Sequence, residues 1–240
     1  MSDLRSWTPG QRPASSPTDV SWRETIGSAV DRADTQRVLR NTYGLLGLTL
    51  AFSALTASLA VAFNVPPLGM IVTLVGYFGL LFLTMKLRNS VGGIFSVFAL
   101  TGFMGLTLGP MLSAILTLPA GASIVAMALG TTAVSFIGLS AYALVSKRNF
   151  SFMGGMLMVG VLVAFVLGLA AFFFKMPALS LAVSAMFVLL MAGMILYETS
   201  NIVHGGETNY VMATVSLYVS IYNLFTSLLH LFTAFGGSDD

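Results

Sequence analysis

No charged residue occurs in residues 41–85, and none in 89–146. Stretches of that length without a charge cannot face water. They must be buried in lipid, with their backbone polar groups satisfied within helices. Composition agrees. The 240-residue chain is 56% hydrophobic and 8% charged, with a mean hydropathy of +0.90, whereas a soluble domain carries ~25% charge. A water-soluble enzyme is not expected. The predicted fold class is an all-α membrane protein.

Seven apolar stretches are predicted to span: residues 45–63, 68–85, 92–116, 122–145, 152–174, 178–197 and 211–235. At ~1.5 Å per helical residue each crosses a core of ~30 Å. Breaks fall at Pro66-Pro67, from Lys86 to Ser90, at Pro119, from Lys147 to Ser151, at Pro177, and from Glu198 to Tyr210. Connections this short make successive helices antiparallel neighbours and leave no room for an inserted soluble domain. Gly102, Gly105 and Gly109 in the third stretch read as sites of close helix approach. Pro110 is expected to kink that helix.

Lysine and arginine set the orientation. Arg5, Arg12, Arg23, Arg32, Arg37 and Arg40 precede the first span; Lys86 and Arg88 follow the second; Lys147 and Arg148 follow the fourth. With seven spans all ten share one side, and Lys175 alone falls on the other. The N-terminus is therefore expected in the cytosol and Asp239-Asp240 outside. A last segment that re-enters instead of spanning would return the C-terminus to the cytosol, and charge counting does not separate the two.

The segment that begins at Met1 and ends at Val20 is rich in Pro, Ser and Gly with scattered charge, and is expected to be a disordered cytosolic tail. It lacks the apolar region of a signal peptide. In 21–40, Trp22, Ile26, Val30 and Ala33 recur at helical spacing among charged residues, an amphipathic pattern. That helix would lie at the membrane surface, dock under the bundle, or lead into the first span. Residues 41–240 form the seven-span domain.

Chemistry is sparse. There is no cysteine, and His204 and His230 are the two histidines, so no metal cluster or cofactor site is expected. No HExxH, GxSG, P-loop or GxGxxG occurs, and the last span has no lysine for a retinal Schiff base. No enzymatic activity is expected, and the basic residues belong to membrane flanks, not to a nucleic-acid surface. Two features remain. In the last span Ser216, Ser220, Asn223, Ser227 and His230 form one stripe, flanked by Tyr218 and Tyr222. Lipid cannot satisfy such a stripe, so this helix should be enclosed by the others. The stripe either bonds helix to helix or lines a proton or cation path. Glu198 is predicted to end the sixth span at the cytosolic edge, where Lys86 could pair with it. It is either a helix-end charge reaching water or a functional carboxylate.

The C-terminal third carries "ILYETSNIVHGG" at 195–206 and "SLYVSIYNLFTSLL" at 216–229, with "TMKLRNSVGG" at 84–93. Together these resemble the Bax-inhibitor-1 superfamily, and the resemblance extends over residues ~20–240. It implies seven helices with the last one central. It also implies, within the bacterial branch, an inner-membrane modulator of the ATP-dependent membrane protease FtsH, as substrate or competitor. Other members leak calcium or protons through a carboxylate pair. The first carboxylate corresponds to Glu198, the second to Ser220, and the basic residue of the second helix to Lys86. One acid and a serine cannot share a proton as two acids do, so a pH-gated leak is not expected of this pattern.

Overall fold

A computed structural model describes the backbone of residues 17–146 and 148–236, with side chains from residue 33 onward. The segment from Met1 to Val20 therefore lies largely outside the described residues. Its last four residues, from Pro17, are helical. Among the described residues seven α-helices follow one another: α1 (Pro17–Ala62), α2 (Met70–Leu87), α3 (Val91–Leu116), α4 (Gly121–Ser146), α5 (Gly154–Phe173), α6 (Pro177–Val203) and α7 (Tyr210–Gly236). All seven are long and apolar enough to cross a membrane, α1 through its Ala33–Ala62 portion.

Residues 21–40 run without a break into the first span as part of α1, in keeping with a lead-in to that span. One boundary differs from expectation. α6 does not end at Tyr197 but continues to Val203. The polar run from Glu198 to Asn201 looked like loop, yet Glu198, Thr199 and Ser200 are buried against neighbouring helices. The true end is a Schellman turn. Gly205 takes φ 72°, its N–H donates to the Ile202 carbonyl at 3.1 Å, and the Gly206 N–H donates to the Asn201 carbonyl at 2.9 Å. Pro177 opens α6 at a position where its missing N–H costs nothing. Pro110 lies inside α3 without ending it.

The last helix is central. In its most apolar window 67% of residues are buried, against 6% in α2. Its direct neighbours are α1, α3, α4 and α6, while α2 rests on α3 and α5 on α6 as outer helices. The core therefore follows α7, with Leu217, Tyr218, Leu224 and Leu229 almost fully enclosed.

The seam between α1 and α3 is the most extensive helix–helix contact. Its closeness depends on the glycines. A Cβ at Gly105 would strike the Ser53 carbonyl oxygen and the Thr56 hydroxyl, and one at Gly109 would strike Ala60. Lipid tails are as apolar as leucine, so burial gives little drive for association, and close backbone approach must supply it.

Candidate functional site

The polar groups of the bundle fall into two layers. The first layer ties helices to one another along the length of the bundle. The Tyr218 hydroxyl bonds Ser53 Oγ at 2.6 Å and donates to the Thr101 carbonyl at 3.2 Å, joining α7 to α1 and α3. Tyr222 meets Thr107 of α3 at 3.3 Å. Thr199 of α6 lies 3.4 Å from both the Tyr43 hydroxyl of α1 and Ser140 of α4. On the far side His230 Nδ1 and Ser184 Oγ are 2.8 Å apart, joining α7 to α6.

The predicted stripe is thus only partly an interhelical device. Ser216 and His230 reach across to α6. Ser220 is buried, but its hydroxyl donates to the Ser216 carbonyl of its own helix at 2.9 Å. Asn223 Nδ2 likewise donates to the Val219 carbonyl at 2.8 Å. Ser227 is buried. The two tyrosines, read from sequence as flanking residues, make the longer-range ties.

The second layer surrounds Glu198. This carboxylate is 8% exposed and sits five residues inside the end of α6. It is not a helix-end charge in water. The Ser216 hydroxyl bonds it, and the Glu207 carboxylate is near enough to repel it. Both partners differ from those expected. Lys86 is exposed and makes no ion pair with Glu198 among the described residues, because the end of α2 turns that side chain outward. Residue 220 is not the α7 position that meets Glu198; Ser216, one turn earlier, is. The second carboxylate of the site comes from the connection between α6 and α7.

Asn209 holds that connection in place. Its Oδ1 accepts from the N–H groups of Val211 and Met212 at 3.0 and 3.1 Å, capping α7. Its Nδ2 donates to the Arg88 carbonyl at 3.1 Å and to Asn89 Oδ1 at 2.8 Å, fastening the loop to the connection between α2 and α3. Glu207 Oε1 accepts from the Asn209 N–H at 2.7 Å. An Asn immediately before an apolar helical run is a cap signal, so Asn209 was legible in the sequence. The approach of Glu207 to Glu198 was not, since it depends on how the loop folds back. Glu207 also lines a cavity of about 1030 Å³ together with Asp34, Arg37, His204 and Thr208. Among the described residues no three His, Asp or Glu side chains gather as metal ligands. What the arrangement does chemically is hold two carboxylates, a serine and a capped loop in one unit at the end of the bundle that bears Arg88.

Comparison with known proteins adds the family. Residues 35–237 match the family model described as inhibitor of apoptosis-promoting Bax1. The chain is 53% identical, over 89% of its length and 97% of the relative's, to an uncharacterized protein of Pseudomonas aeruginosa. It is also 53% identical, over 86% of its length and 95% of the relative's, to a protein of Escherichia coli K12 named modulator of FtsH protease YccA. A protein of Escherichia coli O6:H1 with the same identity and coverage is named inner membrane protein YccA.

Proposed function

This chain belongs to the family of inhibitors of apoptosis-promoting Bax1, and from that premise we propose that it is an inner-membrane modulator of the protease FtsH. The observation that carries the reading is the 53% identity to the YccA modulator across 95% of that protein's length. The fold supplies a physical route. The N-terminus lies in the cytosol by the distribution of lysine and arginine. α1 has 46 residues, ~69 Å at 1.5 Å each, so its first half projects well beyond a ~30 Å core. The residues before Pro17 are a Pro- and Ser-rich tail that an ATP-driven protease can grip. Behind it α1 is locked to α3 by the glycine seam and to α7 by Ser53 and Tyr218. A chain that is gripped but hard to extract occupies the protease and slows its work on other substrates.

The test is removal of residues 1–16 from the full chain. Folding, insertion and elution in mild detergent are expected to be unchanged, while co-elution with FtsH and FtsH-dependent turnover are lost. Equal co-elution and turnover of both forms would overturn the tail as the point of engagement. Absence of any FtsH association in the intact chain would overturn the modulator reading itself.

A further inference from the structure

Between α1 and α4 the bundle is open. Both helices pack on α7, yet they hardly touch one another. Their main approach is at one end, where the rings of Tyr43 and Phe136 lie 6.0 Å apart. Beyond that stop a cavity of about 700 Å³ runs between them, floored by α3 and α7. Leu50 and Val61 mark its extent on α1, and Leu112 and Tyr222 lie on its floor. At its mouth Ala54, Leu129, Ala133 and Ile137 are exposed. In a membrane-spanning bundle that mouth faces the bilayer.

We infer that this cleft holds one acyl chain of a bilayer phospholipid. Three observations carry the assignment. The first is dryness. Five hydroxyl-bearing residues line the cavity, and each hydroxyl is already bonded to protein. Ser53 and Tyr218 bond one another, Tyr222 meets Thr107, Ser58 donates to the Ala54 carbonyl at 2.8 Å, and Thr132 donates to the Ala128 carbonyl at 2.7 Å. A water molecule needs two to four polar partners, and the remaining wall is hydrocarbon. The second is length. From Leu50 to Val61 the α1 wall spans ~16 Å at 1.5 Å per residue, and one leaflet of a ~30 Å core is ~15 Å deep. The third is width. A helix with its side chains is ~10 Å across, whereas the Tyr43 and Phe136 rings from the two walls meet at 6.0 Å at one end of the cleft; a single hydrocarbon chain is thin enough to enter. Val61 lies beside the end of α1 and Val125 near the start of α4. The chain therefore enters from the leaflet facing the connections between α1 and α2 and between α3 and α4. It replaces the missing contact between α1 and α4 and so braces the helix that carries the N-terminal segment. The inference stands on the cleft alone and does not rest on the protease reading.

The test uses the full chain in vesicles of phosphatidylethanolamine and phosphatidylglycerol, doped with a phosphatidylcholine that bears a diazirine near the end of one acyl chain. After irradiation, labelled peptides are mapped by mass spectrometry. The expected result is labelling of Leu112 and Tyr222 on the cavity floor, comparable to that of the exposed Val159 and Leu162 on α5. Labelling of Leu100 and Ala143, buried elsewhere, should be several-fold lower. Ala133→Phe and Ala54→Phe, made separately, each put a ring in the mouth. They should reduce floor labelling several-fold and leave α5 labelling unchanged, which also reports that the variant is inserted and folded. An unlabelled floor in the wild-type chain overturns the inference without recourse to a variant. So does floor labelling that persists in both variants, and so does the discovery that the floor is covered by a second copy of the chain, seen as protein–protein crosslinks there.

Discussion

Replacing Gly105 by alanine adds one methyl group to the seam between α1 and α3. That methyl would overlap the Ser53 carbonyl oxygen, which belongs to backbone and cannot rotate away, and the Thr56 hydroxyl, which can. The two helices must separate or shift, at the ~1–3 kcal/mol typical of overpacking a close contact. Gly47 lies on α1 as well, but a Cβ there meets nothing within 4 Å. Gly47→Ala should therefore be neutral or gain up to ~1 kcal/mol from the backbone entropy that glycine loses in a helix. For a chain of this size ~1 kcal/mol moves Tm by ~2–4 °C, so the two variants should melt several degrees apart by circular dichroism in detergent. If extraction by the protease begins by peeling α1 away, a loss of ~2 kcal/mol raises the open population ~30-fold. Degradation of Gly105→Ala by FtsH in vesicles should accelerate accordingly, with Gly47→Ala unchanged. Adding Thr56→Ala to Gly105→Ala should restore only part of the stability, since the Ser53 carbonyl remains in the way. Equal Tm for Gly105→Ala and Gly47→Ala would refute the geometry. A lowered Tm with unaltered degradation would refute the α1-first route.

Further outcomes follow from the loop between α6 and α7. Glu207→Gln keeps the acceptor for the Asn209 N–H and removes the repulsion on Glu198, so it should stabilise by up to ~1 kcal/mol. That gain should vanish in a Glu198→Gln background, and additive effects in the four-variant cycle would show that the two carboxylates do not interact. Asn209→Ala removes a helix cap and a tie to the α2–α3 connection, at a cost of at least ~1 kcal/mol; hydrogen exchange at Val211 and Met212 should rise with it. Lys86→Ala, at an exposed side chain with no ion pair to Glu198, should change Tm by less than the equivalent of ~0.5 kcal/mol, and a larger drop would restore Lys86 to the site.

The number of helices, their order and the centrality of the last one could be read directly from the chain. Charge-free length is a property of single segments, and the polarity of 216–230 demands protein neighbours wherever they are. Local periodicity stopped serving where tertiary burial decides. The run Glu198, Thr199, Ser200 reads as a loop because lipid would reject it, yet α4, α1 and α7 supply partners and the helix continues. The rotation of α6 about its own axis determines that Glu198 meets Ser216 and not Ser220, and no spacing within either helix encodes that angle. The expected pairing of Lys86 with Glu198 rests only on their sharing one membrane edge. An edge is a plane, and a shared plane does not bring two side chains together.

The continuity of α1 from Pro17 to Ala62 has a mechanical corollary. On the proposed reading, the end that the protease would pull and the contacts that resist it lie on one continuous helix. A force applied along that helix loads Gly102, Gly105, Gly109 and the Ser53–Tyr218 bond simultaneously, in shear. A hinge after Arg40 would let the same force tilt the helix and open those contacts one after another, as a zipper opens. Two glycines inserted near that position would leave every static contact of the bundle in place and still weaken its resistance to traction.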